Sequence, residues 1–584
     1  MKTKFLYRTY QEALIFFLVY VLICSPLILR SVLIENTVFS LSDKRFMGLV
    51  ESIKNDISLY IVLISLLYAA TLPRINKIAN VIIKFSILVI FAINLVDYFV
   101  ILNFGNKLSI EDITKYGSYS LKYLIQIYDH TIYFMALFFL SLTAVILYFT
   151  FKNYKISQNK IINISVILMI ASFVVIPLTF ESHKSEFETY EVLLKYTAAD
   201  SSKNLNYSSQ FKKDFSFTDT KICAPSKPKS PNIIILMVES LSSYHSQFFS
   251  GLNNFTPHID KIAKDNIAFT NFHANGSFTE NGELALLTGL ASIKQPKKKI
   301  IEEYCFHGFF DLDSALPKLL KKQNYHTEFL TSSTLKFANT GKWAKSIGFD
   351  YMEDSTNKFY ENYEKFVFDS TADEFLLQRV LQRVNASKKP NFTFVKTVTS
   401  HIPYIHPVTK VKSEAGAIKY SDQEIGKFYQ SLKKSKFFDN GILIIVGDHH
   451  TPEIPTKEEV ELYGYVKAQA MVPMIISYGD KKPEIITKQF QQTDIYNSIK
   501  NLTSSESCHS NWHGDVFNTK HNPRYVLFKR EDRKHIVTIF EDDKLHEVIL
   551  DADNTRLFDE DKVSKETAKY FINKINEQRI KPLK

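Results

Sequence analysis

The sequence predicts a chain in two parts: a five-span α-helical membrane domain over residues 1–180, then an outer α/β domain with a mainly parallel sheet over residues 231–584. Three observations carry that fold class. Long apolar runs are concentrated before residue 181. After Pro231, short aliphatic runs alternate with amphipathic stretches, the pattern of strands linked by helices. Several of those runs stop abruptly on acids or histidines, as at the ligand-bearing carboxyl edge of an open α/β sheet.

At 584 residues the chain is too long for one ordinary core. Its formal charge of +10, with no recognisable nucleic-acid motif, points to a membrane surface as the anionic partner and not to nucleic acid. Four cysteines are few for this length. Cys24 lies in an apolar run, and Cys223, Cys305 and Cys508 allow at most one disulfide among themselves and show no C-x-x-C spacing, so this is no disulfide scaffold.

Five apolar segments, at about 12–34, 57–73, 79–103, 131–151 and 161–180, approach or reach the roughly 20 residues needed to cross a hydrocarbon core. The first is too long for a cleaved signal peptide, lacks a small-residue cleavage site and is followed by further spans. Lys2, Lys4 and Arg8 precede it, Arg74 and Lys77 separate the second and third, and Lys152, Lys155 and Lys160 the fourth and fifth. Those loops fall on one side, the positive-inside pattern, so everything after residue 180 is expected outside. Asp97, near the end of the third segment, reads as a hydrated interfacial acid or as a functional intramembrane one.

Residues 181–230 turn polar. Tyr190 to Lys195 has the pattern of a short interfacial helix, and Ala224 to Pro231 reads as a Pro/Lys linker. Beyond it, strands are expected at 232–238, 326–332, 391–400, 441–447 and 471–477, with amphipathic helices at 371–385 and 422–435. The six aliphatic residues Ile233 to Val238 show no alternation, so both faces of that strand are expected to be covered. Residues 524–551 read as a small antiparallel addition, and 564–579 as a final helix.

Chemistry concentrates at three strand ends. The first run ends on Glu239-Ser240, the 391–400 run on Thr399-Ser400-His401, and the 441–447 run on Asp448-His449-His450. Taken singly, an acid after a strand is commonly a turn residue, and His401 beside Pro403 can simply shape a loop. Together, carboxylates and imidazole suit a divalent cation such as Zn²⁺ or Mn²⁺. Thr279 opens a helix-like segment and reads alone as an N-cap; beside a metal its hydroxyl becomes a nucleophile, at the helix end that favours phosphate.

Val238-Glu239-Ser240-Leu241, Thr256-Pro257-His258-Ile259-Asp260 and Phe269-Thr270-Asn271-Phe272 resemble the opening of the sulfatase/alkaline-phosphatase superfamily. Thr279 with Glu283, Ser400-His401-Ile402-Pro403-Tyr404 and Gly447-Asp448-His449 resemble its lipoteichoic-acid-synthase branch. Five spans before an outer catalytic domain are shared with that branch and with lipid A phosphoethanolamine transferases. The resemblance implies Glu239, Thr279, Asp448 and His449 as ligands of a divalent ion (Zn, or Mn/Mg), Thr279 as nucleophile, and His401 as phosphate contact or proton donor. Gly341 to Asp350 looks like the family's substrate-binding tryptophan block, which implies Trp343 and Lys345 as substrate contacts, with Lys where the family often has Arg. Thr279 to Glu283 does not supply the Cys/Ser-Pro-Arg pentad of sulfatases, and three outer cysteines cannot make the several disulfides usual in the phosphoethanolamine enzymes.

The implied reaction moves the headgroup phosphate of phosphatidylglycerol or phosphatidylethanolamine through Thr279 to an envelope lipid or glycan. The implied place is the outer face of a bacterial cytoplasmic membrane. Lys294 to Lys299 would meet anionic headgroups or be a solvated loop. Two other classes stay open: a phosphodiesterase or phosphatase, for which His450 and His513 would complete a second metal site, and a non-catalytic binder.

Overall fold

The computed structural model describes residues 14–29, 57–70 and 76–104, the isolated positions 11, 163, 166 and 167, and residues 220–580 except 294–305, 307–308, 387–388, 480, 531–535, 551–554 and 559–562. The chain divides into two compact units, Met1–Ser201 and Ser202–Lys584.

In the first unit, Lys77–Tyr98 is, among the described residues, the one helix long and apolar enough to cross a membrane. The apolar helices Leu14–Leu29 and Leu59–Ala69 are shorter. The expectation of five spans is therefore met by one candidate here; 131–151 and most of 161–180 lie outside the described residues, as do Tyr190 to Lys195 and Lys294 to Lys299. Phe16, Tyr20, Leu27, Leu63, Ile64, Ile87 and Phe91 form the unit's apolar core. Asp97 is fully buried.

The second unit is built on an eight-stranded sheet. Its strands are β1 (Asn232–Val238), β2 (Ile267–Phe269), β3 (His326–Thr331), β4 (Tyr351–Glu353), β5 (Asn391–Lys396), β6 (Gly441–Gly447), β7 (Met474–Tyr478) and β8 (Glu484–Ile486). They lie in the order β8-β2-β7-β6-β1-β5-β3-β4. β7 pairs antiparallel with both neighbours, and every other pairing is parallel. That is the mainly parallel sheet the alternating runs predict. β1, β5, β6 and β7 carry Val, Ile and Phe on both faces, because both faces are covered.

Helices α1 (Pro257–Asp265), α2 (Thr279–Thr288), α3 (Asp373–Ala386), α4 (Glu414–Lys434) and α5 (Gln492–Thr503) make the covering layers. On one face Ile233, Ile235, Met237, Ile444 and Val446 pack with Leu284, Leu286 and Leu287 of α2 and Ile495 and Ile499 of α5. On the other, Ile234, Leu236, Val238, Leu443 and Ile445 meet Ile259 and Ile262 of α1, Leu376 and Val380 of α3, and Ile425 and Phe428 of α4. Burying each such side chain contributes roughly 1.5–3 kcal/mol.

Three boundaries differ from expectation. β5 stops at Lys396, four residues early, because the Asp373 carboxylate accepts the Val398 and Thr399 amides and turns the chain out of the sheet. α4 starts at Glu414, where Ser413 accepts the Gly416 amide as N-cap. β7 starts at Met474. A four-stranded antiparallel sheet (526–529, 536–541, 544–550 and 555–557) and a helix, Lys565–Ile580, follow as predicted. Ile222–Pro225 pairs antiparallel with Glu506–His509, opposing Cys223 to Cys508, and those cysteines are disulfide-bonded.

Candidate active site and metal centre

Side-chain parity places the first two acids. On β1, Ile233, Ile235 and Met237 face α2, and on β6 Ile442, Ile444 and Val446 do the same. The strands run parallel with Met237 opposite Val446 and Val238 opposite Gly447. Two residues on in each strand, Glu239 and Asp448 emerge side by side at the carboxyl edge, on the α2 face. The Asp448 amide continues the ladder to the Val238 carbonyl at 3.2 Å. Ser240 then takes a left-handed backbone, φ 54°, and donates its amide to Asp448 Oδ1 at 2.7 Å.

Thr279 arrives from α2. Phe278 occupies the N-cap position and donates its amide to Asn281 Oδ1 at 3.1 Å. Thr279 is therefore the first helical residue and its hydroxyl is not spent on capping. The hydroxyl lies 3.2 Å from Glu239 Oε2 and 3.3 Å from His449 Nε2. One turn on, α2 touches the β6 end so closely that a Cβ on Gly282 would sit 2.8 Å from the Asp448 carbonyl oxygen. That approach needs glycine.

The ligand atoms of Glu239, Asp448 and His449 lie within 4.8 Å of one another, and all three residues are buried. Asp448 Oδ2 is buried with no hydrogen-bond partner, although His449 Nε2 is 3.2 Å away. Burial and the Glu239 charge push the Asp448 carboxyl up to about 6. Burial acts on Glu239 in the same sense but is outweighed by the His449 hydrogen bond and the His401 charge, which hold it below the usual carboxylate range. Around them sit the buried acids Glu280 and Glu283, against the Lys396 ammonium 2.8 Å from Glu283. An orphaned carboxylate oxygen, surplus negative charge and an O, O, O, N donor set fit a hard or borderline divalent cation.

Three histidines are oriented alike. His401, His449 and His450 bring Nδ1 to the carbonyl of the following residue, at 2.7, 2.6 and 2.7 Å. A carbonyl only accepts, so Nδ1 carries the proton and Nε2 faces outward. For His449, Nε2 faces the cluster. His401 is half-buried, its ring edge-on to Phe368 at 4.9 Å, and its charge is felt by Glu239. His450 Nε2 meets Glu459 at 2.7 Å instead, and buried His513 is surrounded by the charges of Lys574, Lys221 and Lys500. Neither joins the Glu239 cluster.

Trp343 is not brought there either. It is fully buried in the core, stacked on Phe306 with centroids 4.0 Å apart, and its indole N–H donates to the Phe309 carbonyl at 3.1 Å. Lys345, on the same helix, is exposed. The half-buried aromatic rings beside His401 are Phe368 and, against it, Phe337, on loops where Ala338, Asn339, Phe368 and Asp369 all have positive φ. Supporting residues without a motif were missed. Thr397 Oγ1 accepts the Glu239 amide at 3.0 Å, Ser400 Oγ donates to the Glu239 carbonyl at 2.5 Å, and Gln492 Nε2 donates to the Gly447 and Asp448 carbonyls at 2.9 and 2.7 Å. Gln492 opens α5, a helix the sequence pattern did not predict.

Residues 231–505 match the sulfatase family. Among curated relatives, lipoteichoic acid synthase 2 of Bacillus subtilis is 23% identical over 332 residues, which is 52% of this chain and 50% of that protein. Lipoteichoic acid synthase of Staphylococcus aureus is 24% identical over 241 residues, 38% of this chain and 36% of that one. The chain thus spans about half the length, or less, of the curated relatives it matches. Among solved structures, an alkaline phosphatase superfamily protein of Vibrio parahaemolyticus aligns at TM-score 0.47 and 21% identity, covering 65% of this chain and 95% of that one. A lipoteichoic acid synthase of Listeria monocytogenes aligns at TM-score 0.46 and 17% identity, covering 65% and 96%. By these comparisons, residues 231–505 of this chain form a sulfatase-like domain, and the chain is similar in sequence to the lipoteichoic acid synthases.

Proposed function

We propose that this chain is a metal-dependent phosphotransferase that moves the headgroup phosphate of a membrane phospholipid, phosphatidylglycerol or phosphatidylethanolamine, to a lipid or glycan of the cell envelope. The observation that carries the reading is the placement of the Thr279 hydroxyl, first in its helix and 3.2–3.3 Å from Glu239 and His449. Similarity to lipoteichoic acid synthases supports a phosphoglycerol donor.

Glu239, Thr279, Asp448 and His449 would hold the ion. When bound, it supplies a lowered hydroxyl pKa and stabilises charge on the transferring phosphate. Thr279 Oγ, ionised by loss of its proton to solvent, attacks phosphorus, the bond from phosphorus to the diacylglycerol oxygen breaks, and that oxygen takes the Nε2 proton of the His401 imidazolium. An acceptor hydroxyl then attacks the phospho-Thr279, returning its proton to His401 and freeing the threonine. The positive end of the α2 dipole lies at Thr279, where it would favour the same phosphate. His450 and His513 lie away from the cluster, which supports transfer through one ion over a two-metal hydrolase.

The organisation that goes with this reading is a membrane domain over 1–180, an interfacial stretch over 181–230 and an outer catalytic domain over 231–584. The test is mass spectrometry of the Thr279 peptide after the detergent-solubilised chain meets each lipid with Mn²⁺ or Zn²⁺. A phosphoglycerol adduct from phosphatidylglycerol, or a phosphoethanolamine adduct from phosphatidylethanolamine, supports the reading and names the donor. No adduct with either, and both lipids unconsumed, refutes it.

A further inference from the structure

The bond from His401 Nδ1 to the Ile402 carbonyl aims the ring within its own loop. It does not set that loop against the segments that carry Glu239 and His449. Two other residues, one on each side of His401, do so. Ser400 is the first, through its hydrogen bond to the Glu239 carbonyl. Tyr404 is the second. Its amide donates to the His401 carbonyl at 2.9 Å, and its backbone is left-handed, φ 58°. A bulky residue keeps that conformation only where its surroundings fix it.

The surroundings are a buried polar network in which Thr451 is the hub. The Tyr404 hydroxyl is hydrogen-bonded to Thr451 Oγ1 at 2.6 Å, with both residues buried. Tyr404 reaches the same segment again at Glu453. Thr451, two residues beyond His449, donates its amide to Ser242 Oγ at 2.7 Å, three residues beyond Glu239. Its hydroxyl also bonds Glu414, the first residue of α4. Glu414 in turn takes the Tyr244 hydroxyl, and His245 Nε2 at 2.9 Å. His245 Nδ1 accepts the Ser242 amide at 3.2 Å, so Nε2 carries the ring proton and donates it to the carboxylate. Ser413, just before Glu414, closes the circuit with its amide on the Tyr404 carbonyl at 3.0 Å. The segments bearing Glu239, His401 and Asp448-His449 are thus tied together by side chains other than the candidate metal ligands.

We propose that the Tyr404 and Thr451 hydroxyls are positioning groups that set the His401 loop against the Glu239, Asp448 and His449 cluster. The purpose of that placement, proton transfer by His401, rests on the function proposed above; the placement itself does not. Proton transfer needs the ring within hydrogen-bond reach of the reacting oxygen, so a small shift of the loop would remove it.

The test is carbethoxylation of histidines by diethyl pyrocarbonate on the full detergent-solubilised chain, read site by site by peptide mass spectrometry. Exposed His258 on α1 serves as the control. Tyr404→Phe keeps the buried ring and deletes its hydroxyl; we expect His401 to label about threefold faster or more, with His258 unchanged. Thr451→Val deletes the hub hydroxyl and is expected to accelerate His401 as well, whereas Thr451→Ser, which restores a hydroxyl, labels like the parent. Unchanged His401 labelling in Tyr404→Phe, Thr451→Val indistinguishable from Thr451→Ser, or His258 accelerating in step with His401 each overturns the proposal. The labelling uses no lipid and no turnover. It reads the same whether or not Thr279 forms an adduct, so the two readings fail separately.

Discussion

Lys396→Met tests the electrostatics beneath the site. Lys396 ends β5 with its ammonium 2.8 Å from Glu283 Oε1, while Glu283 Oε2 is buried without a partner. Burial pushes the Glu283 carboxyl up to about 7; Lys396 opposes that, and Glu280 and Asp448 add to it. Methionine keeps the stem of the lysine and deletes the charge. Breaking a buried pair from one side costs about 3–5 kcal/mol if the remaining carboxylate stays ionised. Glu283 has an escape, because it can take up a proton, at about 1.4 kcal/mol for each pH unit above its unfolded value near 4.5. The sign follows. A carboxyl raised in the folded state binds protons the unfolded state has lost, so its contribution to stability is present below about 4.5 and is lost by about 7 in the parent chain. In Lys396→Met that window extends upward. The deficit is expected to be about 1–2 kcal/mol at pH 6 and about 3–4 kcal/mol at pH 8. The chain's two tryptophans, Trp343 and Trp512, are both buried in the second unit, so their fluorescence in denaturant reports its unfolding. Adding Glu283→Gln should recover at least about 1.5 kcal/mol at pH 8 by removing the stranded acid. A single variant within about 0.5 kcal/mol of the parent across that range, or a double variant weaker than the single, refutes the reasoning.

Three further outcomes are expected. Thr279→Ala removes the covalent adduct altogether, whereas Thr279→Ser retains turnover reduced about tenfold or more; turnover kept in Thr279→Ala refutes the hydroxyl as nucleophile. Asp448→Asn lowers metal affinity about tenfold to a hundredfold, read as bound Mn²⁺ or Zn²⁺ per chain after dialysis, while Asp422→Asn, on the helix layer of the opposite sheet face, leaves metal content unchanged. Asp422 on α4 accepts the His258 and Ile259 amides at 3.0 and 2.7 Å and so caps α1 from another helix. Asp422→Ala is expected to cost about 1–2 kcal/mol by denaturant titration. Burial pushes this carboxyl up to about 7, so its contribution is fully present below about 3.8 and lost by about 7, and the penalty of Asp422→Ala should shrink with pH across that window.

The legible parts of the sequence were those where one local pattern has one physical solution. Ile233 to Val238 needs cover on both faces, which makes it a central strand, and the abrupt Glu239 and Asp448 then fall at its carboxyl edge by parity alone. What surrounds them was not legible, because it is made of contacts distant in the chain. Thr397 and Ser400 lay inside a predicted strand, and only the Asp373 carboxylate, from α3, peels that segment away and turns both hydroxyls onto Glu239. Trp343 shows the converse. Its helix is amphipathic and its ring goes inward onto Phe306, while Phe337 and Phe368, beside His401, occupy loops whose left-handed backbone no composition signals.

The histidine geometry has a consequence for how this site tolerates change. Imidazoles in metal sites are commonly aimed by a carboxylate elsewhere in the fold, so the aim is lost when that residue mutates. Here the template is the peptide bond that comes next in the chain: Ile402 for His401, His450 for His449, Thr451 for His450. Every residue type has a carbonyl oxygen. The side chains at those template positions are free to vary or to take other work, as His450 does in holding Glu459 at the start of its helix. The direction of each ring is inherited with its loop, and the surroundings of the loop can diverge without redirecting it.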